Sequence, residues 1–313
     1  MCIRDRDFAA SLREYLILEE ESGAHFAFLD EAYRWGMMPV PVHVAAMEAL
    51  RLVGTEEALL EEMKIWLLKQ KQTTAWNSPV ATADAVYALL MGGRNPLESA
   101  GEVRITLGNH TLSTTDASAT WAGLNYVKET FTEGHAEVTA PRISVHNTGE
   151  GMAWGAVYAQ YLAPMEEVQS QGGALSVQKQ LFVERMDATG HKTLQPVGEG
   201  AELRVGDVVV SRLTVSLDRA MDFVQLKDAR GACFEPMTAH SGYRWLSGCG
   251  AYVEVEDAAT NFFFDHLGKG VYVLENRCRL ARRGTYQAGI ATLQSAYAPE
   301  FAAHSAGMTV TIP

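Results

Sequence analysis

FFFDHLGKGVYVLENRCRLARRGTYQAGIATLQ, residues Phe262–Gln294, decides the fold class because its apolar residues recur with a period of two. Tyr272, Leu274, Cys278 and Leu280 fall on one side, broken only by Asn276, while Glu275, Arg277 and Arg279 fall on the other. Such alternation marks a strand with one face on a core and the other in water. Leu267-Gly-Lys-Gly270 before it and Arg283-Gly284 after it supply turn chemistry. Asn261–Leu267, Gly270–Leu280 and Gly284–Leu293 are therefore expected as consecutive antiparallel strands of a β-sandwich.

Working outward, Ala174–Met186, Val208–Leu217, Met221–Lys227 and Ala251–Glu256 read as further strands, about seven with the three already named, and Met308–Ile312 reads as the last strand of the chain. Met165–Gly173, rich in Glu, Gln and Gly, reads as a linker ahead of them. Before the linker, Val103, Ile105 and Leu107 alternate with polar residues, and Gly108-Asn109 predicts a hairpin with Thr111–Thr115. Val127–Phe131, Glu137–Val145 and Met152–Leu162 are expected as strands of the same segment. The first hundred residues carry the helical period instead. Ala24–Arg34, Pro41–Val53, Glu56–Gln70 and Pro79–Met91 are expected as helices, with Pro41 and Ser78-Pro79 as starts and Gly54 and Gly92-Gly93 as stops. The architecture read from the residues is multidomain α + β, helical hairpins followed by all-β sandwich domains. Its expected divisions are 1–96, 97–168 and 169–313.

Composition limits the function. The chain has 313 residues, 47% hydrophobic and 20% charged, which suits a globular protein of two or three domains. A net charge of −12 argues against nucleic-acid or anionic-membrane binding. No apolar run approaches the ~20 residues a membrane-spanning helix needs. The opening MCIRDRDFAA lacks the apolar core of a signal peptide and reads as an assembly scar.

Catalytic motifs fail on spacing: HExxH, GxSxG and the P-loop are absent, and Gly149/Gly151/Gly155 miss GxGxxG by one. Ser176-Val-Gln-Lys179 is formally SxxK, but on a strand its two ends point to opposite faces. The nine histidines are scattered singly, so no metal site is expected, and no cofactor. Cys2, Cys233, Cys249 and Cys278 form no CxxC pair; the disulfide state stays open, with a Cys233–Cys249 bridge as one possibility.

The motifs "FFFD", "KG", "LE", "YQ", "GIAT" and "YAPEF", with "HSAG" at 304–307, resemble the final domain of bacterial alpha-2-macroglobulin-like proteins. The version they resemble is that of large cell-envelope proteins of gut bacteria. This resemblance implies a C-terminal fragment of an extracytoplasmic protease trap, periplasmic or outer-membrane associated, acting on host or competitor proteases. Gln72–Leu90 is similar to the last helical hairpin of the family's thioester domain, an α/α toroid. Residues 97–168 resemble the returning half of its CUB-like domain. The family's thioester joins a Cys to a Gln three residues on, but here those third residues are Asp5, Pro236, Tyr252 and Ala281. No thioester can form in this chain.

By the same resemblance Tyr297, Pro299 and Phe301 are candidates for a contact with upstream domains. Ala296 stands where thioester-bearing relatives often carry a bulky residue, which favours a parent without a thioester. On the residues alone, Tyr297 and Phe301 could equally plug the sandwich end. Two other function classes compete: an envelope adhesin binding glycans or envelope partners through Trp121, Trp154 and Trp245, or an enzyme using acids around Glu48 or Asp84.

Overall fold

The computed structural model describes residues 3–19, 23–27, 38–54, 57–76, 78–91, 101–116, 120–121, 126–132, 142–149, 153, 155, 157–159, 162–198 and 202–313. The chain divides into two compact units, Met1–Lys71 with Ala75–Ala159, and Gln160–Pro313 together with Gln72–Thr74.

The first unit contains α1 (Ile3–Glu14), the hairpin strands β1 (Leu16–Glu19) and β2 (Gly23–Phe26), then α2 (Pro39–Leu52), α3 (Glu57–Thr73) and α4 (Pro79–Leu90). Prolines open α2 and α4, and the Ser78 side chain caps α4 by accepting from Ala81 N at 3.1 Å. Leu50, Met63, Trp66, Leu67, Ala85 and Phe26 form its core. The helix expected from Ala24 is corrected at its start. Ala24–Phe26 is fully buried strand, paired with Leu16–Leu18, and residues 28–34 lie outside the described part. Pairing with a neighbouring strand has overridden local helix propensity there.

His43 is wholly buried in this core. Its Nε2 donates to Met63 O at 3.0 Å, and its ring lies 4.4 Å from that of Trp66. Burial pushes its pKa down to about 4, with the nearby His25 adding repulsion and the Met63 bond opposing.

The β part of this unit is thin. β3 (Val103–Leu107) pairs with β4 (His110–Ser113) through the expected Gly108-Asn109 turn. After β5 (Thr120–Trp121) and β6 (Tyr126–Val127), β7 (Ile143–Asn147) completes the order β4-β3-β7. Among the described residues none between Leu89 and Leu175 is a buried hydrophobic. The strand expected over Met152–Leu162 is corrected where it can be seen: 153, 155, 157–159 and 162 are not in strands, and Val157, Tyr158 and Leu162 are exposed.

The second unit is a β-sandwich. Its strands are β8 (Leu175–Met186), β9 (Lys192–Pro196), β10 (Val208–Leu217), β11 (Met221–Ala229), β12 (Phe234–Pro236), β13 (Gly242–Leu246), β14 (Cys249–Val255), β15 (Ala259–Leu267), β16 (Gly270–Leu280), β17 (Gly284–Gln287), β18 (Ala291–Ser295), β19 (Ala302–His304) and β20 (Thr309–Ile312). One sheet runs β12-β16-β10-β8-β9, the other β13-β14-β15-β11-β18-β19, and β17 pairs with β20. β16 lies on β10 over ten residue pairs, Val208↔Arg279 to Leu217↔Gly270, with Leu274, Cys278 and Leu280 turned inward. The single strand expected over Gly284–Leu293 is two, because Gly289 sits at φ +78 in the left-handed region. A Cβ there would stand 2.4 Å from Ala229 O, so the close crossing of the two backbones admits only glycine.

The inward faces build two apolar clusters. One contains Val177, Leu213, Leu226, Phe262, Leu274 and Leu293, the other Leu181, Val183, Val209, Cys278 and Leu280. Between them each strand contributes one polar residue: Lys179 from β8, Ser211 from β10, Asn276 from β16 and Asp228 from β11. Lys179 and Asp228 side chains are only 5% and 6% exposed, with Nζ 2.8 Å from Asp228 Oδ1. Nζ donates to Ala229 O at 2.6 Å and Ala288 O at 3.1 Å, and Asn276 Nδ2 donates to Asp228 Oδ2 at 3.2 Å.

The presumed linker Met165–Gly173 is also corrected. A 3₁₀ turn over Met165–Glu167 and a bridge Gln171↔His304 lay it on the sandwich, with Gly307 N donating to Val168 O at 2.9 Å. Gly307 allows the approach, since a Cβ there would be 1.7 Å from Met165 O. All three described thiols, Cys233, Cys249 and Cys278, are free, so no Cys233–Cys249 bridge is made.

A pH dependence follows from His43. The unfolded chain takes up its proton near 6.5 and the folded one near 4, so between those values the unfolded state binds more protons. Stability of the helical unit should fall as pH drops from about 6.5 to about 4, by up to ~3 kcal/mol. Urea unfolding at several pH values should show this slope in the wild type and its reduction in His43→Leu.

Candidate functional site: the excursion between β18 and β19

The sequence-predicted contact residues lie on one short excursion, residues 296–301, at one end of the sandwich. The chain leaves β18 at Ser295 and re-enters β19 at Ala302. The base of this loop is clamped by Ser305: its N–H donates to Ala291 O at 2.9 Å, and its Oγ accepts from Ala291 N at 2.9 Å. Within the loop Ser295 N donates to Phe301 O and Phe301 N to Ala298 O, while Ala298 is buried. Ala296 N donates to Phe223 O at 2.9 Å, fastening the loop to β11.

The three candidates are placed differently. Phe301 is half-buried and packs on the larger apolar cluster, with the Arg219 guanidinium 5.7 Å above its ring. It plugs the end of the sandwich. Tyr297 is 79% exposed and sets its ring in a T-shaped arrangement with that of Phe223, at 5.1 Å and 84°. Pro299 is exposed beside it.

Phe223 is a residue that sequence reasoning missed. It holds φ +53, a conformation uncommon for a bulky side chain. The alternation of β11 carried no signal of it. Around this end Arg219 pairs with Asp218 at 2.9 Å, and His266 Nδ1 lies 2.6 Å from Asp222 Oδ1. The result is an exposed aromatic pair, Tyr297 on the loop and Phe223 on β11, with the Arg219–Asp218 ion pair and the His266–Asp222 contact near it.

A second exposed aromatic group lies on the outer face of the six-stranded sheet. Tyr243 stands opposite Tyr252, and Tyr252 opposite Phe263, with the first two rings 5.2 Å apart at 71°. Trp245, two residues along β13, is 78% exposed. The side chain of Trp121 and all of Trp154 lie outside the described residues.

The catalytic alternatives gain little geometry. Lys179 of the SxxK pattern is buried inward, and Ser176 lies on the other face of β8. Glu48 accepts a hydrogen bond from Tyr87 Oη at 2.9 Å, which raises the tyrosine pKa, and it lines a cavity of about 240 Å³ with Arg51, Glu61 and Lys64. Asp84 is not among the lining residues. Burial raises all three described thiols, that of Cys233 to about 11, so none is a ready nucleophile. Among the described residues no group of three or more His, Cys, Asp and Glu side chains could hold a metal ion.

Residues 175–300 match the family model "Bacterial Alpha-2-macroglobulin MG10 domain". The terminal sandwich belongs to the bacterial alpha-2-macroglobulin family. The MG10 match covers β8 to β18 and the excursion as far as Glu300. No curated relative matches the chain. Among solved structures, Salmonella alpha-2-macroglobulin reacted with methylamine is 15% identical at a TM-score of 0.37, over 88% of this chain and 17% of that one. Trypsin-activated alpha-2-macroglobulin from Escherichia coli is 11% identical at 0.41, over 88% and 19%. The native Escherichia coli protein spanning domain MG7 to the C-terminus is 12% identical at 0.35, over 88% and 42%. The chain thus spans less than half the length of each.

The two aromatic placements separate in stability. Phe301→Ala should cost the sandwich about 1–2 kcal/mol, a discounted share of a full core truncation. Tyr297→Ala should stay within about 0.5 kcal/mol, as surface substitutions do. Urea denaturation of both variants checks this.

Proposed function

We propose that this chain is the C-terminal part of a larger bacterial alpha-2-macroglobulin-like protein, and that the whole protein inhibits endopeptidases by trapping them. The match of residues 175–300 to the MG10 domain carries this reading. The chain itself is non-enzymatic and supplies structure. Its helices are read as the end of an α/α toroid (1–96) and its thin sheet as the returning half of a CUB-like domain (97–168). The terminal sandwich takes 169–313. The exposure of β7 and the absence of buried hydrophobics among the described residues between Leu89 and Leu175 support the middle assignment. A sheet with no covered face needs further strands to bury it.

Tyr297 and Pro299 are proposed to contact upstream domains of the same protein, with Phe301 anchoring the loop that presents them. The partners of the whole are host or competitor proteases met outside the cytoplasm, in the periplasm or at the outer membrane. Among the described residues no helix is long and apolar enough to cross a membrane.

A second reading has one specific observation behind it. The aromatic row Tyr243, Tyr252 and Phe263, with Trp245 beside it, is the kind of exposed patch an envelope adhesin would use on glycans or other partners.

Trapping is distinguishable from blocking. The full-length protein, mixed with a protease, should suppress cleavage of a large protein substrate while leaving cleavage of a small peptide substrate almost intact. The present chain alone should suppress neither. Loss of both activities with the full-length protein, or of neither, would contradict the proposal.

A further inference from the structure

The polar seam inside the sandwich has the parts of a self-forming cross-link. Lys179 and Asn276 sit on the inward face of one sheet, on β8 and β16, the two strands that flank β10. In register, Lys179 lies opposite Leu213 and Asn276 opposite Ser211, so the two are diagonal neighbours across β10. Asp228 reaches between them from the facing sheet. One of its oxygens is 2.8 Å from the lysine Nζ, and the other accepts from the asparagine Nδ2 at 3.2 Å. An amine, a carboxamide and a carboxyl group in contact with both are thus held together in a core.

The surroundings favour reaction over a simple ion pair. Leu213, Leu226 and Leu274 lie on one side and Leu181 and Cys278 on the other, so the seam is kept from water. The Nζ–Oδ1 contact lies outside hydrogen-bond alignment, whereas Nζ donates to Ala229 O and Ala288 O. Those two carbonyls are the acceptors a neutral amine needs for its two N–H bonds, leaving its lone pair free of them. A proton moved from Nζ to Asp228 keeps the net charge of the pair and relieves the burial of two opposite charges. Desolvated lysines are nucleophiles for this reason. Ser211 Oγ is buried and makes no hydrogen bond, so a donor remains beside the Asn276 carboxamide for the negative oxygen of a tetrahedral intermediate.

We propose that Lys179 and Asn276 join in an intramolecular isopeptide bond, with Asp228 as the proton shuttle. With its first proton already on Asp228, Nζ attacks Asn276 Cγ and forms the C–N bond. Asp228 delivers that proton to Nδ2, the Cγ–Nδ2 bond breaks and ammonia leaves, and Asp228 takes up the second proton from Nζ. No oxidant, metal or external reagent enters the balance. The product ties β8 to β16 across β10 by a covalent bond that neither reduction nor denaturation opens. Fixed proximity of this kind replaces a high concentration of external reactant.

Intact-mass measurement of the purified chain under denaturing conditions tests this. The expected mass is lower than that of the sequence by one ammonia, with a digest fragment joining the Lys179 and Asn276 peptides. Asp228→Asn should restore the full sequence mass; if that variant does not fold, Lys179→Arg gives the same comparison. The wild-type chain at full sequence mass overturns the proposal. So does the loss of one water with a fragment joining Lys179 to Asp228, because the carboxyl group would then be the acceptor and not the shuttle.

Discussion

Everything in the sandwich is arranged around the contact of Lys179 with Asp228. An amine and a carboxyl group from facing sheets are buried there, and such burial costs several kcal/mol for each if charged unless the site answers it closely. It is answered by the carbonyls of Ala229 and Ala288 and by the amide of Asn276. The carbonyls come together because the chain crosses itself at Gly289 and Gly231, where a Cβ would stand 2.4 Å from Ala229 O and 2.2 Å from Gln287 O respectively. A slip of β8 or β16 by one residue would turn Lys179 or Asn276 outward and take one of its two partners from Asp228 in the core. The seam therefore fixes register as well as joining the sheets.

From this anchor the surface features follow. β11, which carries Asp228 one residue before its end, also carries Phe223, whose carbonyl accepts from Ala296 N at the base of the loop that exposes Tyr297. β19, beyond the loop, receives the leading segment at Gln171↔His304. The aromatic loop, the leading segment and the seam thus share the strands β8, β11, β18 and β19. A frame of this kind holds an exposed aromatic loop in place through backbone hydrogen bonds at its base.

Much of this was legible in the residues. The period of two along Tyr272–Leu280 gave β16 its inward face, and the break at Asn276 marks the seam itself. A lone asparagine does not disclose its partner, and Asp228 comes from a strand nearly fifty positions earlier. The Gly108-Asn109 turn was readable because a hairpin is local. The misreadings are long-range in origin. Ala24–Phe26 is strand through pairing with Leu16–Leu18, and Met165–Gly173 resembles a linker by composition while its backbone bonds to residues 304 and 307. Burial likewise separates Phe301 from Tyr297, which the sequence offered as equals.

Limited proteolysis with mass mapping tests most directly whether residues 160–313 are a self-standing sandwich with its leader docked. The account predicts a resistant product that keeps Met165–Gly173 attached, its N-terminus at or before about residue 162, a size normal for one domain. Early cleavage inside Met165–Gly173, or rapid digestion of the strands beyond it, would contradict it.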